Sequence, residues 1–318
     1  MLDNFRINII WIVENFSFQK SFQFYLEKIR KKHQEKLIKN YIPDNPRHLD
    51  FVEIDYLTPE LFSELYKKHE PFVIRGGAKE WSCVKKWSFE FFQRNYGDVK
   101  LPFLETRQYE GAAYEETTID VAVKAFKNGS KKYCKFSDTL YQVPELQKDL
   151  NLKFLKKFKT KISQTGTYQF FLGPKGTSTR LHNAIGNNFF IQVWGEKTWR
   201  IYPMKYTHLF CPKTTRSPHF ISSENFAFPH EHERVGDTIS HWEIHLGPGD
   251  ILFNPTYLWH TVHNDTDSIA VKCSWASPRS FFRNPTMTLL TLAAFGGNLF
   301  KLRKILREGK FTPKKLWM

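Results

Sequence analysis

The sequence predicts a mainly β protein, a sandwich or barrel, with helical extensions at both ends. From residue 166 onward, short β-branched and aromatic runs are separated by Gly, Pro and Asn, the texture of many short strands joined by turns. The stretches 1–45 and 285–306 are helical in pattern instead. Composition permits a packed core: 318 residues at 41% hydrophobic and 16% aromatic exceed what a disordered chain carries.

Residues 1–50 read as a basic helical extension in which Phe16, Phe18, Phe22, Phe24 and Leu26 form no clean stripe. Residues 51–280 are the expected barrel domain with its leading helices. There Thr58-Pro59-Glu60 opens a helix, because Thr is a favoured N-cap, Pro suits the first helical position, and Leu61, Phe62 and Leu65 follow at helical spacing. Residues 71–75 form a short buried strand ended by Gly76-Gly77. Further strands are expected at 167–172, 188–194, 198–202, 243–246, 250–253 and 268–275, with Gly247-Pro248-Gly249-Asp250 as a corner. Residues 281–318 return to helix: Leu289, Leu290, Leu292, Leu302, Ile305 and Leu306 give an apolar face, broken at Gly296-Gly297. Such a face packs on the barrel or on a second subunit, as in a homodimer.

The net charge of +15 is uneven, with lysines crowding 124–161 and Glu308 the single acid of 279–315. That surface attracts nucleic acid, an acidic peptide or an anionic small molecule, although solubility accounts for it equally well. Cys83, Cys134, Cys211 and Cys273 lie far apart, so inert thiols are expected rather than a disulfide framework or zinc knuckle. The apolar run 9–13 is too short for a transmembrane segment or a secretory signal, so a soluble, cytoplasmic protein is expected.

On a strand, His182 and Ala184 share one face and Asn183 takes the other. His260 follows Asn254-Pro255 at the start of another short strand. Two strand-borne histidines facing a barrel interior can share a metal, although a structural histidine is the commoner meaning of either alone. Other acid and imidazole groups carry less. His230-Glu231-His232-Glu233 lacks the spacing of a zinc helix and reads as a solvated loop, and His263 alternates away from His260. Asp237, Glu243 and Asp250 are conceivable substitute carboxylates, Asp250 more simply a turn cap. Tyr168, Tyr257 and Trp275 line a pocket or, better, pack the barrel.

Three segments in order carry a resemblance: Gly173-Pro174-Lys175-Gly176 through Thr179 to His182, then Asn188 through Trp194-Gly195-Glu196-Lys197, then Gly247-Pro248-Gly249-Asp250 through Trp259-His260. Over about residues 72–278 the chain resembles the JmjC and cupin-like oxygenases, and within them the asparaginyl hydroxylases of hypoxia-inducible factor. The resemblance implies a double-stranded β-helix of the cupin or jelly-roll type, with iron(II) and 2-oxoglutarate as cofactors. It also implies His182 and His260 as metal ligands, Thr179 and Lys197 as partners of the distal carboxylate of 2-oxoglutarate, and Asn188 as a polar residue of the same pocket. A lysine ammonium and a hydroxyl suit a carboxylate chemically.

The family motif is His-x-Asp/Glu, and this chain has Ala184 at the third position. Three outcomes follow. The vacant position takes chloride and the enzyme halogenates a C–H bond; water or a carboxylate from elsewhere completes the sphere and the enzyme hydroxylates; or the barrel is a binding module without turnover.

Overall fold

The computed structural model describes residues 2–16, 19–41, 48–105, 115–158, 167–210, 212–214, 219–222, 226–231 and 238–295. Ten helices are present among them: α1 (Leu2–Phe16), α2 (Lys20–Lys39), α3 (Pro59–Lys68), α4 (Ser82–Lys86), α5 (Phe89–Tyr96), α6 (Ile119–Lys127), α7 (Thr139–Gln142), α8 (Leu152–Lys157), α9 (Pro278–Arg283) and α10 (Pro285–Phe295). The strands are β1 (Val52–Ile54), β2 (Phe72–Ile74), β3 (Lys100–Glu105), β4 (Glu115–Thr118), β5 (Lys132–Ser137), β6 (Thr167–Gly173), β7 (Ser178–Ala184), β8 (Asn187–Trp194), β9 (Lys197–Tyr202), β10 (Lys213–Thr214), β11 (His219–Ile221), β12 (Trp242–Leu246), β13 (Ile251–Asn254), β14 (Trp259–Asn264) and β15 (Ser268–Trp275).

They form two sheets, a large one in the order β1-β2-β13-β8-β15-β6-β5-β3-β4 and a smaller one in the order β10-β11-β7-β14-β9-β12. Among these strands the β1–β2 pair is parallel and the other pairings are antiparallel. Phe190, Leu252 and Ala270 of the large sheet and Trp199, Ile201, Val262 and Leu246 of the small one share a single buried cluster, so the inner faces pack on each other. The result is a jelly-roll barrel with helical flanks.

Alternation along each strand puts the other set of apolar residues outside. Phe189, Ile191, Ile251, Val271 and Cys273 leave the large sheet's outer face and meet Leu65, Phe92, Ile119, Leu140 and Leu155 of the helices between β1 and β6. Leu181, Tyr202 and Trp259 leave the small sheet's outer face and meet Trp11 of α1 with Met287 and Leu290 of α10. The two extensions thus cover one surface together, and α2 is clamped to α1 by Arg30, whose Nε donates to Glu14 at 2.6 Å. The expected helix at 285–306 is seen as far as Phe295; Gly296-Gly297 and Leu302, Ile305 and Leu306 lie outside the described residues.

Local expectations are met at several points. Thr58 caps α3 by accepting the Leu61 N–H at 3.1 Å. Tyr168, Tyr257 and Trp275 are buried in packing clusters. Cys83, Cys134 and Cys273 are buried, Cys211 lies outside the described residues, and burial pushes the Cys83 thiol up to about 12. The lysine-rich stretch is less of a surface than composition suggested, since Lys135 on β5 is buried. Among the described residues no helix is long and apolar enough to cross a membrane.

Gly195 makes the turn that delivers β9 to the barrel. Its φ is +69°, and an added Cβ would stand 1.9 Å from the Asp267 carbonyl oxygen. Gly195→Ala is therefore expected to destabilise the fold by more than about 2 kcal/mol, read as a lowered urea midpoint.

Candidate metal centre

The inner face of the small sheet is organised in rows set by strand register. His182, His260 and Ile201 form one row; Thr179, Val262 and Trp199 form the next; Asn264 and Lys197 form the third. In a regular strand Thr179 and His182, three residues apart, would face opposite ways. A bulge on β7, where the register slips between the His260 and Val262 pairings, brings both inward. Ser178 pairs with His263, which lies on the outer face as alternation predicts, and His263 Nδ1 bonds Ser178 Oγ at 2.8 Å.

The His182 and His260 rings have centroids 4.2 Å apart, and both residues are 3% exposed. His182 Nδ1 lies 2.8 Å from the Arg180 carbonyl and His260 Nδ1 lies 3.0 Å from the Leu258 carbonyl. A carbonyl only accepts, so each Nδ1 carries the proton and each Nε2 keeps its lone pair, the tautomer a metal ligand needs. Burial pushes His260 down to about 3, with the Lys272 charge adding to the effect, so its ring is neutral. Trp199 stacks on His260 at 5.1 Å and Phe136 stands edge-on to His182 at 6.1 Å, fixing both rings.

Two rows further along, Lys197 is fully buried and donates to Tyr133 Oη at 3.2 Å, to Ser268 Oγ at 2.8 Å and to Asn264 Oδ1. These partners are neutral, so the ammonium sits in a polar cage without a carboxylate. Four residues along β14 separate Asn264 from His260, about 13 Å of strand. Thr179 Oγ1 accepts the Val262 N–H at 3.1 Å midway.

Burial pushes Lys197 down from 10.5 to about 7, with Asp265 opposing. Between those values the unfolded chain holds a proton that the folded chain has released. Stability of the ligand-free protein therefore rises as pH rises from about 7, and the penalty is fully present below it. An anion on Lys197 restores the proton. Dicarboxylate binding at about pH 8 is expected to take up a proton, read as a buffer-dependent calorimetric enthalpy.

The facing large sheet carries a second polar group. Asn254, Asn188 and Ser274 form one cross-strand row, and Leu252, Phe190, Lys272 and Gln169 the next. Asn188 Oδ1, Asn254 Oδ1, Ser274 Oγ, Gln169 Oε1 and Trp199 Nε1 are buried without a hydrogen-bond partner. Buried polar atoms normally find partners, so this cluster fits a polar ligand inside the barrel. Asn188 Nδ2 donates to the Asn254 carbonyl at 3.4 Å.

The imidazole pair fits a divalent metal such as iron. Ala184 offers no side-chain donor, and among the described residues no cluster of three His, Cys, Asp or Glu side chains is gathered. The substitute carboxylates lie elsewhere: Asp250 accepts from the Gly76 and Gly247 N–H groups and from Arg75, and Glu243 accepts from Arg200 at 2.7 Å. Asp237, His232 and Glu233 lie outside the described residues. His230 and Glu231 line an outer cleft of about 260 Å³ with Ser178, Arg200 and His263, on the sheet face opposite the histidine pair.

Tyr133, Ser268, Asn264 and Lys272 escape sequence reasoning. A signal existed for Lys272, a lone charge inside the apolar run of β15. Tyr133 lies in a lysine run that reads as surface.

A family model of the cupin-like domain matches residues 58–281. The chain belongs to the cupin-like family. This cupin-like protein is 27% identical over 235 residues to lysine-specific demethylase 8 of Xenopus tropicalis, covering 72% of this chain and 51% of that protein. It is 22% identical to the 2-oxoglutarate and iron-dependent oxygenase JMJD4 of Mus musculus, over 74% of this chain and 60% of that protein. It is also 22% identical to tRNA wybutosine-synthesizing protein 5 of Gallus gallus, over 70% of this chain and 76% of that protein. The cupin-like chain spans about half the length of the demethylase.

Proposed function

We propose that this cupin-like protein is an iron(II)- and 2-oxoglutarate-dependent oxygenase that hydroxylates a C–H bond, with His182 and His260 as metal ligands. The observation that carries the reading is the buried Lys197 cage two rows from the histidine pair. In this reading Lys197 binds the distal carboxylate, and the hydroxyls of Tyr133 and Ser268 turn to donate to it. Thr179 lies alongside the cosubstrate, and Asn188 supplies an amide from the facing sheet. Trp199, Val262, Phe171 and Phe190 keep water out of the barrel, strengthening each polar contact inside it.

With dioxygen as the oxidant, bound iron(II) would supply the oxidising power: one oxygen atom would enter the substrate C–H bond and the other would go to 2-oxoglutarate, which would leave as succinate and carbon dioxide. The two backbone carbonyls hold the imidazoles in register for it. The missing side-chain donor at Ala184 raises chloride as a substitute ligand, but the relatives are named for demethylation and oxygenation, which favours hydroxylation over chlorination. The basic chain favours an acidic peptide or RNA as substrate.

Incubation of a cell extract with protein, iron(II), 2-oxoglutarate and oxygen, with and without chloride, tests the reading. Expected are succinate and a product that gains one oxygen atom. Chloride-dependent replacement of hydrogen by chlorine would overturn hydroxylation, and absence of iron-dependent succinate would overturn the enzyme.

A further inference from the structure

Strand β12 lies at one edge of the small sheet, and residues 48–50 run beside its start. His48 and His241 form a parallel bridge there; the Leu49 N–H donates to the His241 carbonyl at 2.8 Å, and Trp242 Nε1 donates to the Asp50 carbonyl at 3.2 Å. Trp242 belongs to the inner cluster, whereas the His241 ring meets Tyr202 of the outer cluster at 5.4 Å. The His241 ring is therefore on the side of the sheet away from His182 and His260.

His241 Nδ1 lies 3.0 Å from the carbonyl of Ile239, two residues back, the arrangement His182 makes with Arg180 and His260 with Leu258. The carbonyl only accepts, so Nε2 keeps its lone pair, and that atom is buried without a hydrogen-bond partner. Burial holds the ring below the usual histidine value, the Ile239 carbonyl and Glu243 opposing and His48 adding to the effect. The His48 ring stands edge-on at 5.0 Å, and His48 is exposed, which gives an ion access from solvent. Two imidazoles that share one ion through nitrogens at about 2.0–2.1 Å have ring centroids roughly 5 Å apart. The backbone bridge thus already holds two donors at a spacing one ion can span.

We propose that His48 and His241 form a further metal site, for a divalent ion that favours imidazole, such as zinc. Among the described residues no cluster of three such donors is gathered, so water completes the sphere. Magnesium and calcium, which take oxygen ligands, do not suit it. The site is independent of the candidate centre inside the barrel. A bound ion ties the segment that follows the N-terminal extension to the edge of the small sheet.

The test titrates zinc(II) against a competing chelator into wild type, His48→Phe, His241→Phe and the double variant His182→Ala with His260→Ala. Phenylalanine keeps the ring contact and removes the donor. Each phenylalanine variant is expected to bind one zinc ion fewer than wild type, and the double variant to keep the ion that these two lose. Nitrogen-15 NMR is expected to show the His241 Nε2 resonance moved by zinc, but not by magnesium, in wild type, and unmoved by zinc in His48→Phe. Coincident thermal melts without zinc show that the exposed His48 has been replaced in a folded protein. Zinc uptake equal to wild type in either phenylalanine variant would overturn the inference, as would a His241 resonance that zinc leaves in place. A double variant that binds no zinc would overturn it too, while leaving the inner centre standing.

Discussion

Replacing Lys197 by methionine is expected to weaken 2-oxoglutarate binding by about 3 kcal/mol, roughly 100-fold, while leaving the ligand-free protein as stable as before or more so. The two effects have one cause. A fully buried ammonium surrounded by neutral partners is poorly solvated, which is why it loses its proton near neutrality. Methionine fills similar volume without the charge, and exchanging a buried ion for an apolar group is often neutral or stabilising. The ligand, however, loses its counter-charge. Calorimetric titration and urea unfolding of both proteins measure the two sides. Equal affinity in the variant would remove Lys197 from the binding site.

Replacing His260 by alanine is expected to abolish metal uptake, a loss well beyond the roughly 10–100-fold that outer-shell changes cost. His260 is the more demanding of the pair, because it is held neutral by burial, oriented by the Leu258 carbonyl and stacked under Trp199. His182→Ala should behave alike. Metal stoichiometry by elemental analysis after anaerobic loading checks both, and iron bound one-to-one by either variant would displace the centre from this row.

The barrel strands were legible because their outer and inner faces both demand apolar residues, so 188–194 and 268–275 read as continuous runs bounded by turn residues. Strands β3, β4 and β5 were not, since their charged residues, such as Lys100, Glu115 and Lys132, pair on the surface and mask the period. The histidine pair was legible by resemblance, and strand alternation put His263 correctly outside. The Lys197 cage was not: Tyr133, Asn264 and Ser268 come from three different strands, and nothing local in sequence marks their convergence.

The bulge on β7 makes chain length between two residues a functional quantity. Thr179 and His182 look into one chamber because the strand spends an extra residue between them. Were the same residues paired regularly back from His182, without the slip, Thr179 would turn outward and Ser178 inward. The slip in pairing thus decides which side chains of β7 the chamber sees, and the residue it leaves over lends its carbonyl to His182.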